Sequence, residues 1–287
     1  MKKAVRLLAL LLLLLTALPL LSACGEGDDR PVVAVTILPE AGLVRAVAGE
    51  DFRILTLVPP GYSPEAYEPT VRTMAEFSRA ALFFSIGVPV EETALLPSLG
   101  EGTRHVSLSA AAAAVYPELV LNGERDPHVW LSPKRVAVMV ARITEELSAL
   151  RPEQAEVYRQ NAAAYLAELS AVDARIRTAL SAAGTTDILV YHPAFGYLAD
   201  EYGLTMHALE RDGREPTAAE LAEAVDLARE RGIRTVFYQA ETDGRSARAF
   251  AEEIGGRAVM LSPLSEAYLE NLEAMAEAIA TAERSAP

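Results

Sequence analysis

Between Glu153 and Ala183 the chain contains neither glycine nor proline. Within that stretch Tyr158, Ala162, Tyr165, Leu169, Val172, Ile176 and Leu180 recur at steps of mostly three and four. That spacing lays one apolar face along a single continuous helix. At about 1.5 Å per residue the helix spans on the order of 45 Å. One domain of this size has no need of so long a helix, so it requires a coiled-coil partner or a second lobe to reach. The flanking sequence favours a strut between two lobes, because strand and helix patterns alternate before it and resume directly after it.

Before the strut, β-rich runs lie at 31–37, 53–58, 81–86 and 104–108, with helical runs at 39–50, 70–80 and 133–150. After it, strands are expected at 187–191, 204–209, 234–239 and 257–261. Helices are expected at 194–201, 217–231, 244–254 and 266–283. The expected fold is α/β, with two similar lobes of mostly parallel sheet joined by one long rigid helix. The corresponding division is an N-terminal lobe over 31–151, the linking helix over 152–183 and a C-terminal lobe over 184–287.

The first residues obey different rules. Lys2, Lys3 and Arg6 precede an apolar run from Leu7 to Leu21, followed by Ser22-Ala23-Cys24-Gly25. A basic start, an apolar stretch too short to span a membrane comfortably, and small residues before a cut describe an export signal over 1–23. Leu21-Ser22-Ala23-Cys24 resembles a bacterial lipoprotein box, with cleavage before Cys24 and lipid on its sulfur. Residues 24–30 then read as a polar tether. Cys24 is the only cysteine, so lipidation leaves no thiol for a disulfide or a redox role. The formal net charge is −14, and loss of the basic signal leaves the remainder more acidic still. That argues against nucleic acid and anionic lipid surfaces as partners and suits a domain tethered by lipid alone.

Four stretches place donor side chains just beyond strand ends or just before helices, where ligands collect in open α/β sheets. Asp126-Pro127-His128-Val129-Trp130-Leu131-Ser132-Pro133 holds a histidine and the only tryptophan between two prolines. Prolines stiffen the loop, with Ser132 as the expected N-cap and Pro133 as the first residue of a helix. Glu65 lies in a Pro-, Gly- and Ser-rich loop over 59–69, His192 directly follows the strand at 187–191, and Glu241 follows the strand at 234–239. Singly, each has an ordinary explanation: a packed loop histidine, a solvated carboxylate, a helix-entry residue, or a carboxylate near a helix start. His105 and His207 sit within strands and read as structural. Together, two histidines and a carboxylate in stiffened loops on two lobes look like a divalent-metal site without thiolate.

With these residues in view, the chain resembles the solute-binding lipoproteins of zinc/manganese ABC importers over nearly the whole region after the signal. The likeness rests on the lipobox at Cys24, Gly-x-Ser-Pro-x-x-Tyr-Glu-Pro at 61–69, the Asp-Pro-His-x-Trp loop at 126–130, and His192-Pro-Ala-Phe-Gly-Tyr197, all in the expected order. It implies metal bound in a cleft between the lobes, with His128 and His192 as ligands. The family's first ligand is usually a histidine, and here that position is Glu65. A later strand end usually carries Asp-Pro-Leu; here it reads Ser262-Pro263-Leu264, and Gln239 stands where many relatives have Glu. The fourth donor is therefore open among Glu241, Glu210, Ser262 and water, with Glu241 taken as the first choice.

A carboxylate in place of an imidazole hardens the donor set and shifts its relative preference toward Mn or Fe(II). Zinc still outranks manganese in intrinsic affinity, so zinc is expected first and manganese second. The resemblance further implies a permease and an ATPase as partners, a lipid anchor to the membrane, a monomer, and no enzymatic activity. Rival readings are a binding protein for an organic iron or corrinoid ligand, a metal-dependent hydrolase with Glu241 or Glu210 as base, and a surface adhesin. The first of these needs a roomy aromatic cleft, whereas aromatic residues make up only 6% of this chain. The hydrolase has no His-Glu-x-x-His signature.

Overall fold

Short apolar runs ending in turn residues build two separate parallel sheets in this computed structural model, which describes residues 28–121, 123–184, 186–210 and 214–284. The expected signal at 1–23 and Cys24 lie outside the described residues. Among the described residues no helix is long and apolar enough to cross a membrane.

In the N-terminal lobe, β1 (Val32–Val35), β2 (Arg53–Thr56), β3 (Leu82–Ser85) and β4 (Arg104–Ser107) form a parallel sheet in the order β2-β1-β3-β4. The crossovers include α1 (Leu38–Ala48) and α2 (Val71–Phe77), and β4 leads into α3 (Leu108–Ala113). The central strands are buried on both faces; Val33, Ala34, Val35, Phe83 and Phe84 are fully enclosed, as continuous apolar strands of parallel sheets are. Two carboxylates fasten the ends of β1 and β3. Glu40 accepts from the Thr36 and Ile37 backbone N–H groups, and Glu91 accepts from those of Ile86 and Gly87.

A two-stranded antiparallel hairpin, β5 (Val120–Leu121) and β6 (Glu124–Arg125), precedes the proline-flanked loop. Neither the hairpin nor α3 was expected from the sequence, because both are too short to show a period. Helix α4 (Pro133–Leu150) begins at Pro133 as expected, but Ser132 does not cap it with its side chain. The Ser132 hydroxyl instead donates to Glu201 at 2.6 Å, in the other lobe. Ser132 is still the N-cap residue, its carbonyl accepting from the Val136 N–H, while its hydroxyl serves the contact with the other lobe.

The strut is α5 (Ala155–Ala183), preceded by a 3₁₀ turn at Pro152–Gln154. Tyr158, Ala162, Leu169, Val172, Ile176 and Leu180 are all buried, so the apolar face read from the sequence is the packed face. Gly184 ends the helix in the left-handed region at φ 68°, a conformation that costs glycine nothing. The Tyr158 hydroxyl donates to Asp51 at 2.8 Å in the first lobe, and Arg175 pairs with Glu273 of the last helix. One helix is thus tied to both lobes.

The C-terminal lobe repeats the pattern with β7 (Asp187–Val190), β8 (Thr205–Ala208), β9 (Thr235–Gln239) and β10 (Arg257–Leu261), all parallel, in the order β10-β9-β7-β8. Its helices are α6 (Gly196–Tyr202), α7 (Ala218–Arg231), α8 (Arg245–Glu253) and α9 (Tyr268–Arg284). One apolar cluster runs from the first sheet through α4 and α5 to Ile188, Phe195 and α9. Behind the second sheet a smaller cluster gathers Leu189, Val225, Val236 and Phe250. Each large side chain so buried contributes about 1.5–3 kcal/mol, which makes the continuous cluster the main bond between the lobes.

Candidate metal centre

Three loops meet in the cleft between the lobes, a cavity of about 1010 Å³ lined by Glu65, His128, His192 and Glu210 among others. Glu65 comes from the stiff loop after β2. There Ala66 N–H donates to the Ser63 carbonyl, Val90 N–H donates to that of Pro64, and Tyr62 and Tyr67 pack edge to face at 5.2 Å. His128 comes from the proline-flanked loop. His192 comes from the end of β7, where the ladder runs one residue further through Tyr191 N–H to Phe237 O.

One donor atom from each of Glu65, His128 and His192 lies within 4.8 Å of the other two. The rings of His128 and His192 are 5.6 Å apart at 74°. Glu65 Oε1 is 3.0 Å from His192 Nε2 and 3.4 Å from His128 Nε2. Both imidazoles therefore turn the same nitrogen toward one carboxylate.

What turns them is a second pair of carboxylates. His128 Nδ1 donates to Asp126 Oδ1 at 2.7 Å, and the same oxygen accepts the His128 backbone N–H at 2.9 Å. His192 Nδ1 donates to Glu210 Oε2 at 2.7 Å. A carboxylate accepts only, so each Nδ1 carries the proton and each Nε2 is the nitrogen that can bind a metal. Glu210 reaches His192 because the ladder between β7 and β8 continues past both strands: Leu209 N–H donates to Val190 O, and Glu210 N–H to Tyr191 O.

Charge follows the same geometry. Burial alone would push the Glu65 carboxyl up, but hydrogen bonds and charge from the two imidazoles hold it well below the usual carboxylate range. Burial disfavours the imidazolium of His192, yet Glu210 and Glu65 outweigh it and raise the ring to about 9. His128 is raised for the same reasons, burial opposing and Asp126 with Glu65 prevailing. Both rings are thus shifted toward the protonated form, each with its Nε2 facing the Glu65 carboxylate.

Glu241, the expected fourth donor, does not join them. Beyond β9 the chain turns toward β10, with Ala240 N–H donating to Leu261 O. Glu241 is outside the three-donor group, and neither it nor Ser262 lines the cleft. Burial pushes its carboxyl up. Asp126 and Glu210 were in view in the sequence, but not as the groups that orient the two rings. The available signal was position: Asp126 is two residues from His128, and Glu210 leaves β8 much as His192 leaves β7. His105 and His207 pair with Ser85 and Asp187 on neighbouring strands.

Behind the cleft the lobes are fastened at several points. Trp130 Nε1–H donates to Pro263 O at 2.9 Å and the Tyr268 hydroxyl donates to Trp130 O at 2.7 Å. Leu119 N–H donates to the Tyr197 hydroxyl at 3.0 Å.

Comparisons with known proteins agree with this architecture. The family model described as "ZnuA: Zinc-uptake complex component A periplasmic" matches residues 33–282. A putative metal-binding protein of Chlamydia muridarum is 28% identical over 267 residues, covering 89% of this chain and 94% of the relative. The zinc-binding lipoprotein AdcA of Streptococcus pneumoniae is 29% identical over 93% of this chain; the match spans 57% of that longer protein. Among solved structures, a crystal structure of ZnuA superposes with a TM-score of 0.83 at 31% identity, over 89% of this chain and 100% of the other.

Proposed function

This chain belongs to the family of periplasmic A components of zinc-uptake complexes, and we propose that it captures its metal through Glu65 Oε1, His128 Nε2 and His192 Nε2. The observation that carries the assignment is the convergence of those three atoms within 4.8 Å, with each Nδ1 held by a carboxylate. Two neutral imidazoles and one carboxylate suit zinc, with manganese second. A water completes the coordination, since Glu241 is outside the group.

Capture is an exchange of protons for a cation. Where an imidazole holds a second proton on Nε2 against Glu65, binding expels it, and the carboxylate turns from counter-ion to ligand. The fastened back of the cleft keeps lobe motion small. The cargo passes to the permease and ATPase of an ABC importer. The protein works as a monomer divided at 31–151, 152–183 and 184–287, held at the membrane by lipid on Cys24.

The test starts from protein stripped of metal by chelator. Thermal unfolding is recorded with zinc, manganese, Fe(II) or nothing added. Binding to the folded state alone stabilises by about 2.7 kcal/mol at a hundredfold excess over Kd. A zinc shift larger than the manganese shift, and lost in Glu65→Ala, is expected. An unchanged zinc affinity in Glu65→Ala removes Glu65 from the ligand set. No shift with any metal overturns the reading.

A further inference from the structure

Asp126 is 3% exposed, and its Oδ2 is buried with no hydrogen-bond partner. Its other oxygen holds both the backbone N–H and the ring Nδ1 of His128. The free oxygen is pressed against the opposite lobe. A Cβ built on Gly196, the first residue of α6, would stand 2.4 Å from Asp126 Oδ2, with Leu121 Cδ1 at 3.0 Å and Leu119 Cδ2 at 3.1 Å. No real side chain fits there. Nor can the carboxylate yield by swinging aside, because rotation about its bond to Cβ drags Oδ1 away from His128.

We infer that Gly196 is a positioning residue for the metal centre: its missing side chain lets Asp126 seat between the lobes and aim His128 Nε2 at Glu65 and His192. The inference rests on the proposed ligand set. It joins the two halves of the site, since Gly196 lies four residues beyond His192 in the C-terminal lobe and reads out on the histidine of the other lobe. The backbone of Gly196 is ordinary helix, not the left-handed region that favours glycine. Its requirement here is one of space.

The experiment compares Gly196→Ala, Asp126→Ala and the double variant, each stripped of metal, in zinc titrations against a competing fluorescent chelator. Losing an interaction that orients a ligand histidine costs ten- to a hundredfold in affinity. Gly196→Ala is expected to weaken zinc binding about tenfold or more, and the double variant to be no weaker than Asp126→Ala alone. Losses that multiply in the double variant overturn the inference, as does an unchanged affinity in Gly196→Ala. Should Gly196→Ala fail to fold, the double variant decides. Recovery of its circular dichroism places the conflict at Asp126, and persistent unfolding places it elsewhere and overturns the inference. Ring nitrogen shifts of His128 add a readout that general destabilisation does not move: Gly196→Ala is expected to lose the fixed Nδ1–H tautomer. Wild-type protein that binds no zinc, or His192→Ala that binds it fully, sinks the ligand assignment itself and is read separately.

Discussion

The two histidines of the cleft are oriented by the same chemistry and by opposite routes. His128 is held by its own loop: Asp126, two residues away, takes both its ring and its backbone N–H. Trp130, two residues on, is pinned to the other lobe. His192 is held by Glu210, eighteen positions further along the chain, brought alongside only because β7 and β8 pair in register. His128 is therefore oriented by a carboxylate of its own loop, seated against the other lobe, whereas His192 depends on the second sheet being complete. A loop that carries its own orienting carboxylate loses little entropy on binding metal, and one that borrows it is the softer half of the site.

The sharpest challenge to that contrast is removal of the rings themselves. His128→Ala and His192→Ala are each expected to weaken zinc more than the roughly hundredfold limit of changes to orienting groups, with His128→Ala the worse. Competition titrations of both variants check this, and the reverse order would break the comparison. Next come the orienting carboxylates. Asp126→Asn is expected to cost toward a hundredfold and Glu210→Gln nearer tenfold, because Asp126 makes two bonds to its histidine and Glu210 one. Equal losses would mean that the two routes orient equally well.

The smallest expected effect is on the stability of the metal-free protein against pH. His192 is raised from 6.5 to about 9, so its stabilising charge is complete below pH 6.5 and is lost as pH climbs through about 9. Glu65 is lowered from 4.5, so its contribution is present above pH 4.5 and lost on further acidification. The charged cluster is thus fully formed between those limits. Zinc affinity moves the other way, weakening as pH falls because the nitrogens must give up protons. The Tm advantage of metal-free wild type over His192→Ala is expected to shrink between pH 6.5 and 9, at about 2–4 °C per kcal/mol for a protein of this size. An advantage that stays constant over that range would remove the charge cluster as its source.

Much of this was legible before any fold was in hand. The buried face of α5 was written in the spacing of Tyr158, Leu169, Val172, Ile176 and Leu180. Both sheets were visible as apolar runs of strand length between helical patterns. The loops of Glu65, His128 and His192 announced themselves through proline, which stiffens backbone whatever surrounds it. Ser132 is the N-cap that the loop pattern placed there, but what its hydroxyl binds, and where Glu241 stands, depend on residues far along the chain. Glu201 holds the Ser132 hydroxyl, and Glu241 follows a strand whose end pairs with Leu261, outside the group formed by Glu65, His128 and His192.

By itself, then, the sequence determined the longer helices and the strands of the two sheets, though not α3 or the β5–β6 hairpin, and which stiff loops carry donor atoms, because periodicity and proline geometry are properties of a few consecutive residues. Only the tertiary structure decided which donors meet, which nitrogen each ring presents, and why Gly196 has no side chain. Those depend on distances between residues far apart in the chain, and nothing in the local pattern around Glu210 or Gly196 records what will be packed against it.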